Sequence, residues 1–237
     1  MMKAFTLLKR GFSHPDYCED FLLLEESEQW MLGAVFDGCS GGKECFFASS
    51  LFGKIIRNEF LSQSENSNAG FDSVSGFGQT LLITLFEQAK KYQAELGLDY
   101  KEILSTHILA IINKSNNDVW INIAGDGVIA FDNGLEIIDQ NNTPDYMAYH
   151  FSMKPGIWIK NHTKSFTLEN ADDFAISTDG ILSFTHLYHT KQSDVAEEFL
   201  LDYAPSNTNQ MEKIYERLAS EQIQNYDDIA MIRFQIN

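Results

Sequence analysis

The chain has 237 residues, 44% of them hydrophobic and including 18 Phe and 9 Tyr, which suits one well-packed domain spanning residues 1–237 and excludes a disordered protein. Its 34 acidic residues against 17 Lys and Arg give a net charge of -17, so the overall field repels nucleic acid. No apolar run reaches the roughly 18 residues that a transmembrane helix needs, and the first residues are too soon charged for a secretory signal, so we expect a soluble, monomeric, cytoplasmic protein without membrane partners.

The first half of the chain predicts a hairpin followed by two long helices. Two apolar runs, 21–26 and 30–36, are separated by three polar residues and predict an antiparallel hairpin. Apolar side chains recur near helical spacing in residues 42–61 and again in residues 78–96. The stretch between them, 62–77, is rich in Ser and Asn and predicts a mobile loop.

The second half changes to short strands, followed by two helices near 193–203 and 208–220 and a last strand at 228–236. The short strands, separated by turns that contain Asn and Gly, predict an antiparallel meander. Residues 139–163 hold two of the four prolines and predict an irregular connection that can fold as a flap. Strands and helices segregate rather than alternate, which favours an α+β layered sandwich over a parallel doubly wound sheet. The predicted short strands are 106–112, 118–124, 127–131, 135–138, 164–168 and 172–178.

Five aspartates lie at the margins of these apolar strands. If the strand ends meet at one edge of the fold, the carboxylates crowd together, and their pKa values rise unless divalent cations neutralise them. Oxygen ligands of this kind select magnesium or manganese over zinc. The five residues are Asp20, Asp37, Asp126, Asp179 and Asp227.

Asp-Gly is also the commonest hairpin signal, so a simple turn is the alternative interpretation for Asp37, Asp126 and Asp179. The turn interpretation is strongest for Asp126, because apolar residues resume at once from Val128. It is weakest for Asp37, because a helical pattern follows and no return strand does.

Two other kinds of site are less well matched. Residues 38–43 resemble a phosphate-binding loop between a strand and a helix, but one residue is missing between the glycines and Glu44 stands where a hydroxyl would bind magnesium. Cys39 near a helix start could act as a nucleophile, but a cysteine phosphatase needs an arginine six residues later, where this chain has Cys45. The three cysteines lack paired spacing, so we expect free thiols in a reducing compartment.

Taken together, the order and spacing of these motifs resemble the metal-dependent protein phosphatases of the phosphatase 2C type. The family pattern runs Glu-Asp, Val-Phe-Asp-Gly-x-Gly-Gly, Gly-Asp-Ser, Ser-Asp-Gly and then Asp-Asn or Asp-Asp before a final strand. Each motif is short, but all five occur in sequence order over nearly the whole chain. The matching segments are 19–20, 35–42, 125–127, 177–180 and 227–229.

The resemblance implies a four-layer αββα sandwich, with two antiparallel sheets flanked by pairs of helices and a two-metal centre at one end of the sheets. Asp37 would bridge two magnesium or manganese ions, and the Gly38 carbonyl would bind one of them. Asp179 and Asp227 would complete the other. The implied activity is that of a protein serine/threonine phosphatase, a phosphomonoesterase that uses a two-metal-activated water on phosphorylated protein substrates.

Further positions follow from the same resemblance. Asp20, supported by Glu19, matches the position that holds metal-bound water, and Asp126 with Asp179 matches a weaker third metal site. The implied catalytic residues are therefore Asp20, Asp37, Asp179 and Asp227.

The chain departs from the family pattern at several site positions. The arginine that usually clamps the substrate phosphate is replaced by Pro15, which leaves Arg10 and His14 as weak phosphate-binding candidates. The remaining departures leave open an alternative, a catalytically inactive relative that serves as a regulatory or binding module. They are Cys39 where some members have a histidine, the inserted Ser40, and Gly127 in place of serine.

Overall fold

The structure is a computed structural model. It describes residues 2–14, 16–65, 71, 73–131, 134–141, 143–186, 189–192, 195–202 and 209–236. Within these ranges no helix is both long enough and apolar enough to cross a membrane.

Two antiparallel five-stranded sheets form the centre of the fold. The first sheet contains β2 (Phe21–Glu26), β3 (Trp30–Phe36), β4 (His107–Asn113), β5 (Val119–Ala124) and β8 (Lys164–Leu168), in the order β2-β3-β4-β5-β8. The second contains β1 (Lys3–Lys9), β6 (Gly127–Phe131), β7 (Gly134–Ile138), β9 (Asp173–Ser177) and β13 (Ile229–Gln235), in the order β1-β13-β9-β6-β7. A small third sheet contains β10 (Phe184–His186), β11 (His189–Gln192) and β12 (Ile223–Asn225).

Helices cover the outer face of each large sheet. Among the described residues the α-helices are α1 (Phe46–Glu65), α2 (Val74–Leu96), α3 (Pro155–His162) and α4 (Asn209–Ser220). Helices α1 and α2 pack on the first sheet, while α4 and a short π-helix at Glu198–Asp202 pack on the second. This arrangement confirms the expected sandwich of two antiparallel sheets between helices.

Strand β3 is buried along its whole length, because its side chains alternate between two faces that are both covered. Leu32, Ala34 and Phe36 face the helices of the outer layer, whereas Met31 and Val35 face the second sheet. Both faces are therefore covered by apolar neighbours, and the strand has no solvent side. Strand β13 alternates in the same way between α4 and the first sheet.

The hairpin β2-β3 is confirmed, but the predictions of a meander and of a loop at 62–77 are corrected. The predicted meander is wrong, because β4 and β5 lie in the first sheet and β6 and β7 in the second. Helix α1 continues to Glu65 and α2 begins at Val74, where the Ser73 hydroxyl accepts the N–H of Gly76, so residues 62–65 and 74–77 are helical rather than parts of a loop. Residues 66–70 and 72 lie outside the described residues.

The segment 139–163, which we call the connecting segment, is more regular than predicted. It contains α3 and a one-turn 3-10 helix at Met147–His150. Trp158 of α3 is fully buried against the helical layer of the first sheet, and this contact fixes one end of the segment. Of the helix predicted at 193–203, the structure contains a short π-helix at Glu198–Asp202. Residues 193, 194 and 203 lie outside the described residues.

Candidate metal centre

Both sheets bring aspartates to the same end of the sandwich. In the β2-β3 hairpin Phe21 pairs with Phe36, so Asp20 and Asp37 flank this last pair. In the second sheet Ser177 of β9 pairs with Met231 of β13, and the Thr178 N–H donates to the Ala230 carbonyl at 3.0 Å. Asp179 comes just after β9 and Asp227 just before β13, so both lie beyond that pairing at the same end of the sheet. The sandwich packs β13 against β2 and β3. We call Asp20, Asp37, Asp126, Asp179 and Asp227 the aspartate centre.

Asp20, which is buried, and Asp37, which is half-buried, form the middle of the aspartate centre. Burial raises the pKa of Asp37 well above its usual range, and the charges of Asp20, Asp179 and Asp227 raise it further. Burial likewise raises the pKa of Asp20, although the Thr178 hydroxyl donates to its Oδ2 at 2.6 Å and opposes that shift. These mutual effects place the four carboxylates within electrostatic reach of one another.

Asp179 and Asp227 approach from the second sheet. Burial raises the pKa of Asp179 to about 6, with additional repulsion from Asp227 and Asp126. Burial also raises the pKa of Asp227, while the backbone N–H of Asp228 and the charge of His14 oppose the shift. The hydrogen bonds and positive charges of the protein alone therefore do not offset the cost of ionising these carboxylates.

Asp126 lies on the crossover from β5 to β6. These two strands belong to different sheets, so the hairpin-turn interpretation of Asp126 is wrong. The side chain is buried, with 6% of its surface exposed, and its Oδ1 accepts the Gln140 N–H at 2.8 Å. Burial raises the pKa of Asp126, with a contribution from Asp139 and an opposing one from the Gln140 N–H.

Two glycines allow the backbone to come close enough to form this end of the sandwich. A Cβ atom at Gly38 would lie 2.1 Å from the Cys45 carbonyl oxygen, and one at Gly180 would lie 1.7 Å from the Asp228 carbonyl oxygen. Both distances are far inside van der Waals contact, so the glycine after Asp37 and the glycine after Asp179 are required by packing. Gly180 also belongs to a 3-10 helix that begins at Asp179, so Asp179 does not lie in a hairpin turn.

Asp228 is a buried acid that the sequence reasoning did not single out. Only 2% of it is exposed, its Oδ1 accepts the Gly11 N–H at 2.6 Å and its Oδ2 accepts the Glu19 N–H at 2.5 Å. His14 Nδ1 lies 2.9 Å from Oδ2 as well. Asp228 therefore ties the loop after β1 to the aspartate centre. Its position next to Asp227 was visible in the sequence, but which of the two side chains turns inward was not.

His14 and Glu19 lie beside Asp228 at the edge of the aspartate centre, which we call its rim. Burial lowers the pKa of His14, but Asp228, Glu19 and Asp227 together outweigh that effect and raise it. The Ser40 hydroxyl donates to Glu19 Oε2 at 2.9 Å, so the residue inserted into the glycine turn holds a second acid in place. His14 thus contacts carboxylates on several sides, which differs from the phosphate-binding role considered for it.

The remaining candidates lie farther out or outside the described residues. Arg10 is exposed at the end of β1, one residue before the Gly11 N–H that binds Asp228. Pro15, which replaces the family arginine, lies outside the described residues. Cys39 lies beside the Tyr146 side chain of the connecting segment, and this contact and burial raise the pKa of Tyr146.

The donor set of the aspartate centre fits hard divalent cations. Every candidate side-chain ligand is a carboxylate oxygen, and Gly38 can add a backbone carbonyl. A protonated His14 supplies a single positive charge, which is fewer than the carboxylates gathered around it. Divalent cations would balance the remainder and return these pKa values toward their usual range.

A sequence model of the protein phosphatase 2C family matches residues 11–224, which is most of the chain. The chain belongs to this family. Membership supports a metal-dependent serine/threonine phosphatase in general, and it implies phosphoprotein substrates. A comparison with curated protein sequences finds no match.

Solved structures of bacterial phosphatases share the phosphatase 2C fold of this chain. A point mutant of a bacterial serine phosphatase superposes with a TM-score of 0.69 at 16% identity, covering 100% of this chain and 99% of the other. Serine/threonine phosphatase Stp1 from Staphylococcus aureus gives 0.66 at 16% identity, covering 100% and 96%. RsbX in complex with magnesium gives 0.60 at 13% identity, covering 99% and 94%. At these identities the likeness concerns the fold, and the presence of magnesium is a property of RsbX.

Proposed function

We propose that this chain is an active magnesium- or manganese-dependent phosphomonoesterase that removes phosphate from phosphoserine or phosphothreonine in proteins. The observation that carries the proposal is the convergence of Asp20, Asp37, Asp179 and Asp227 from two different sheets, with the pKa of each raised by burial and by its neighbours. Such an arrangement is costly for folding and is typical of functional sites.

We propose the following ligands. Asp37, the Gly38 carbonyl, Asp179 and Asp227 would hold two ions, with Asp37 shared between them, and Asp126 with Asp179 would hold a weaker third ion. When bound, the two ions supply an activated water for in-line attack on phosphorus and stabilise the charge of the transferring group.

The other residues orient the site. Asp20, fixed by the Thr178 hydroxyl at 2.6 Å, is placed to orient the attacking water, and Glu19 supports it through the neighbouring backbone. His14 holds Asp228 and so keeps the loop after β1 against the centre. We propose that Arg10, exposed at the end of β1, attracts the substrate phosphate from the rim, because the protein otherwise carries a strong negative field.

The catalytically inactive alternative is not favoured, because every acid that the metal centre requires is present and the acids meet at one end of the fold. The departures at Cys39, Ser40 and Gly127 leave these acids unchanged, and Ser40 supports Glu19. We further propose that the chain is a single domain, which agrees with the nearly complete coverage of both chains in the comparisons. A monomer in the cytoplasm is part of the same proposal.

Hydrolysis of p-nitrophenyl phosphate with manganese, with and without chelator, tests this function. We expect manganese-dependent turnover by the natural sequence and a fall of at least about 100-fold in Asp37→Asn and Asp179→Asn. Asp172→Asn, which changes an exposed aspartate outside the centre, is the matched control and should retain full turnover. A natural-sequence protein that neither turns over substrate nor binds manganese in titration calorimetry would sink the proposal.

A further inference from the structure

A second cluster of ligand-type side chains lies in the connecting segment, outside the aspartate centre. His150 Nε2 lies 2.6 Å from Asp145 Oδ1, and His162 Nδ1 lies 2.8 Å from Asp145 Oδ2. The two imidazole rings stack with their centroids 3.7 Å apart. We call Asp145, His150 and His162 the histidine cluster.

The three residues come from separate turns of the chain. Asp145 precedes the 3-10 helix at Met147–His150, His150 ends it, and His162 is the last residue of α3. One potential ligand atom from each side chain lies within 4.8 Å of the other two. Three donors thus point at one another from three backbone segments, as the protein ligands of a metal ion do.

The donor types distinguish this cluster from the aspartate centre. Two imidazole nitrogens and one carboxylate oxygen suit zinc and similar divalent transition metals, whereas magnesium prefers oxygen ligands throughout. Tetrahedral zinc with bonds of about 2.0 to 2.1 Å holds its ligand atoms roughly 3.3 Å apart. The observed separations of 2.6 Å to Asp145 Oδ1 and 2.8 Å to Asp145 Oδ2 are shorter than this, so each ring nitrogen would move away from the carboxylate to admit an ion.

We propose that Asp145, His150 and His162 bind one zinc ion, with water as the remaining ligand, and that this ion fastens the connecting segment beside the aspartate centre. The site is independent of the proposed phosphatase activity, since neither the ligands nor the ion takes part in that chemistry.

Hydrogen bonds join the two sites. The Asp145 N–H donates to the Gln140 side-chain oxygen at 2.5 Å, and the Gln140 N–H donates to Asp126 at 2.8 Å. Burial, the neighbouring Cys39 and the charge of Asp37 raise the pKa of Tyr146, which follows Asp145 directly. An ion that fixes Asp145 would therefore also restrict Gln140 and Tyr146 at the edge of the aspartate centre.

The competing interpretation is a metal-free trio of hydrogen bonds. In that case each histidine must carry its proton on the nitrogen that faces Asp145, and the carboxylate accepts from both rings. The hydrogen bonds and charges of His150 and His162 lower the pKa of Asp145, although burial opposes this. A carboxylate that stays ionised is compatible with either interpretation, so binding of the metal itself must decide.

The experiment is a titration of the whole chain with zinc chloride in excess magnesium, which fills the oxygen-ligand centre before zinc is added. We expect one zinc equivalent to bind in the natural sequence and in Asp37→Asn. Binding should weaken by more than about 100-fold in His150→Gln and His162→Gln, because even loss of an outer-shell partner costs 10- to 100-fold in affinity. Glutamine keeps an N–H donor for Asp145, so these variants should fold, which circular dichroism checks.

His186→Gln, a histidine change on β10, is the matched control and should bind zinc like the natural sequence. Cobalt chloride gives an independent readout, because a four-coordinate site with nitrogen ligands produces visible absorption that both cluster variants should lose. Hydrogen exchange should show slower exchange over residues 145–162 when zinc is added. Absence of zinc binding in the natural sequence, or equal binding in folded His150→Gln and His162→Gln, would overturn the proposal.

Discussion

The aspartate centre and the histidine cluster are neighbours with different construction. The first is made of acids at the ends of strands from two sheets, and its ligand atoms are all oxygens. The second is made of side chains from turns within one connecting segment, and two of its three ligand atoms are nitrogens. Rigid strand ends can hold several like charges together. The connecting segment instead needs a bridging contact, which Asp145 provides between His150 and His162.

Exchange of a single ligand in either site should give the largest effect, and it tests whether the two sites are separate. Asp37→Asn should lower manganese-dependent turnover by at least about 100-fold and leave zinc binding at the histidine cluster intact. His162→Gln should do the reverse, removing zinc binding while most manganese-dependent turnover remains. Turnover assays and zinc titrations on the same two preparations test this. Loss of both properties in either folded variant would show that the two sites do not act independently.

Removal of Asp228 should show how strongly the aspartate centre depends on buried support. Asp228→Ala leaves the N–H groups of Gly11 and Glu19 without their acceptor, so we expect a loss of about 3 kcal/mol in the free energy of unfolding. Urea denaturation measures the effect, and Asp172→Ala serves as the exposed control. A change in Asp228→Ala no larger than in the control would contradict the structural role assigned to this acid.

The stability of the metal-free protein should depend on pH in a direction set by the aspartate centre. The pKa of Asp179 is about 6 in the folded chain, above its usual value of 3.8, so the folded state binds more protons between these values. Stability should therefore fall as the pH rises through this interval, and the raised pKa values of Asp20 and Asp37 extend the fall.

Magnesium should reverse that loss at neutral pH. At 100 times its dissociation constant, magnesium should add about 2.7 kcal/mol to the free energy of unfolding. Thermal melts in chelator and in magnesium, repeated across the pH range, measure both the fall of stability with pH and the gain from magnesium. Identical melting curves with and without magnesium at neutral pH would count against a cation site at the strand ends.

The smallest predicted effect concerns the hydroxyl that binds Asp20. Thr178→Val removes the hydrogen bond to Asp20 Oδ2, so the pKa of Asp20 should rise further and turnover at neutral pH should fall about 10-fold. The pH profile should move toward higher pH, and Thr178→Ser should restore it. An unchanged pH profile with reduced turnover would mean that Thr178 acts through its hydrogen bond with the Ala230 N–H and not through Asp20.

The aspartate centre was largely predictable because its pattern is local. An apolar run such as Trp30–Phe36 must be buried, so an acid directly after it must lie at the end of a sheet. The assignment of strands to sheets was not local. Nothing in the runs that became β5 and β6 shows that the chain crosses to the other sheet between them, and β1 was not predicted as a strand at all.

Residues that act through long-range contacts were missed for the same reason. Asp228 binds backbone groups more than 200 positions away in sequence, and no spacing rule connects them. The histidine cluster depends on where α3 ends, which in turn depends on burial of Trp158 in the helical layer. The connecting segment has no clear period, so its sequence predicted an irregular flap rather than three converging side chains.

The most direct test of the central claim is anomalous diffraction from crystals soaked in manganese chloride. We expect two strong manganese peaks at the aspartate centre, both within bonding distance of the Asp37 carboxylate, with Asp179 and Asp227 as further ligands. Soaked crystals without a peak in contact with Asp37, or with manganese bound away from both Asp37 and Asp179, would contradict it.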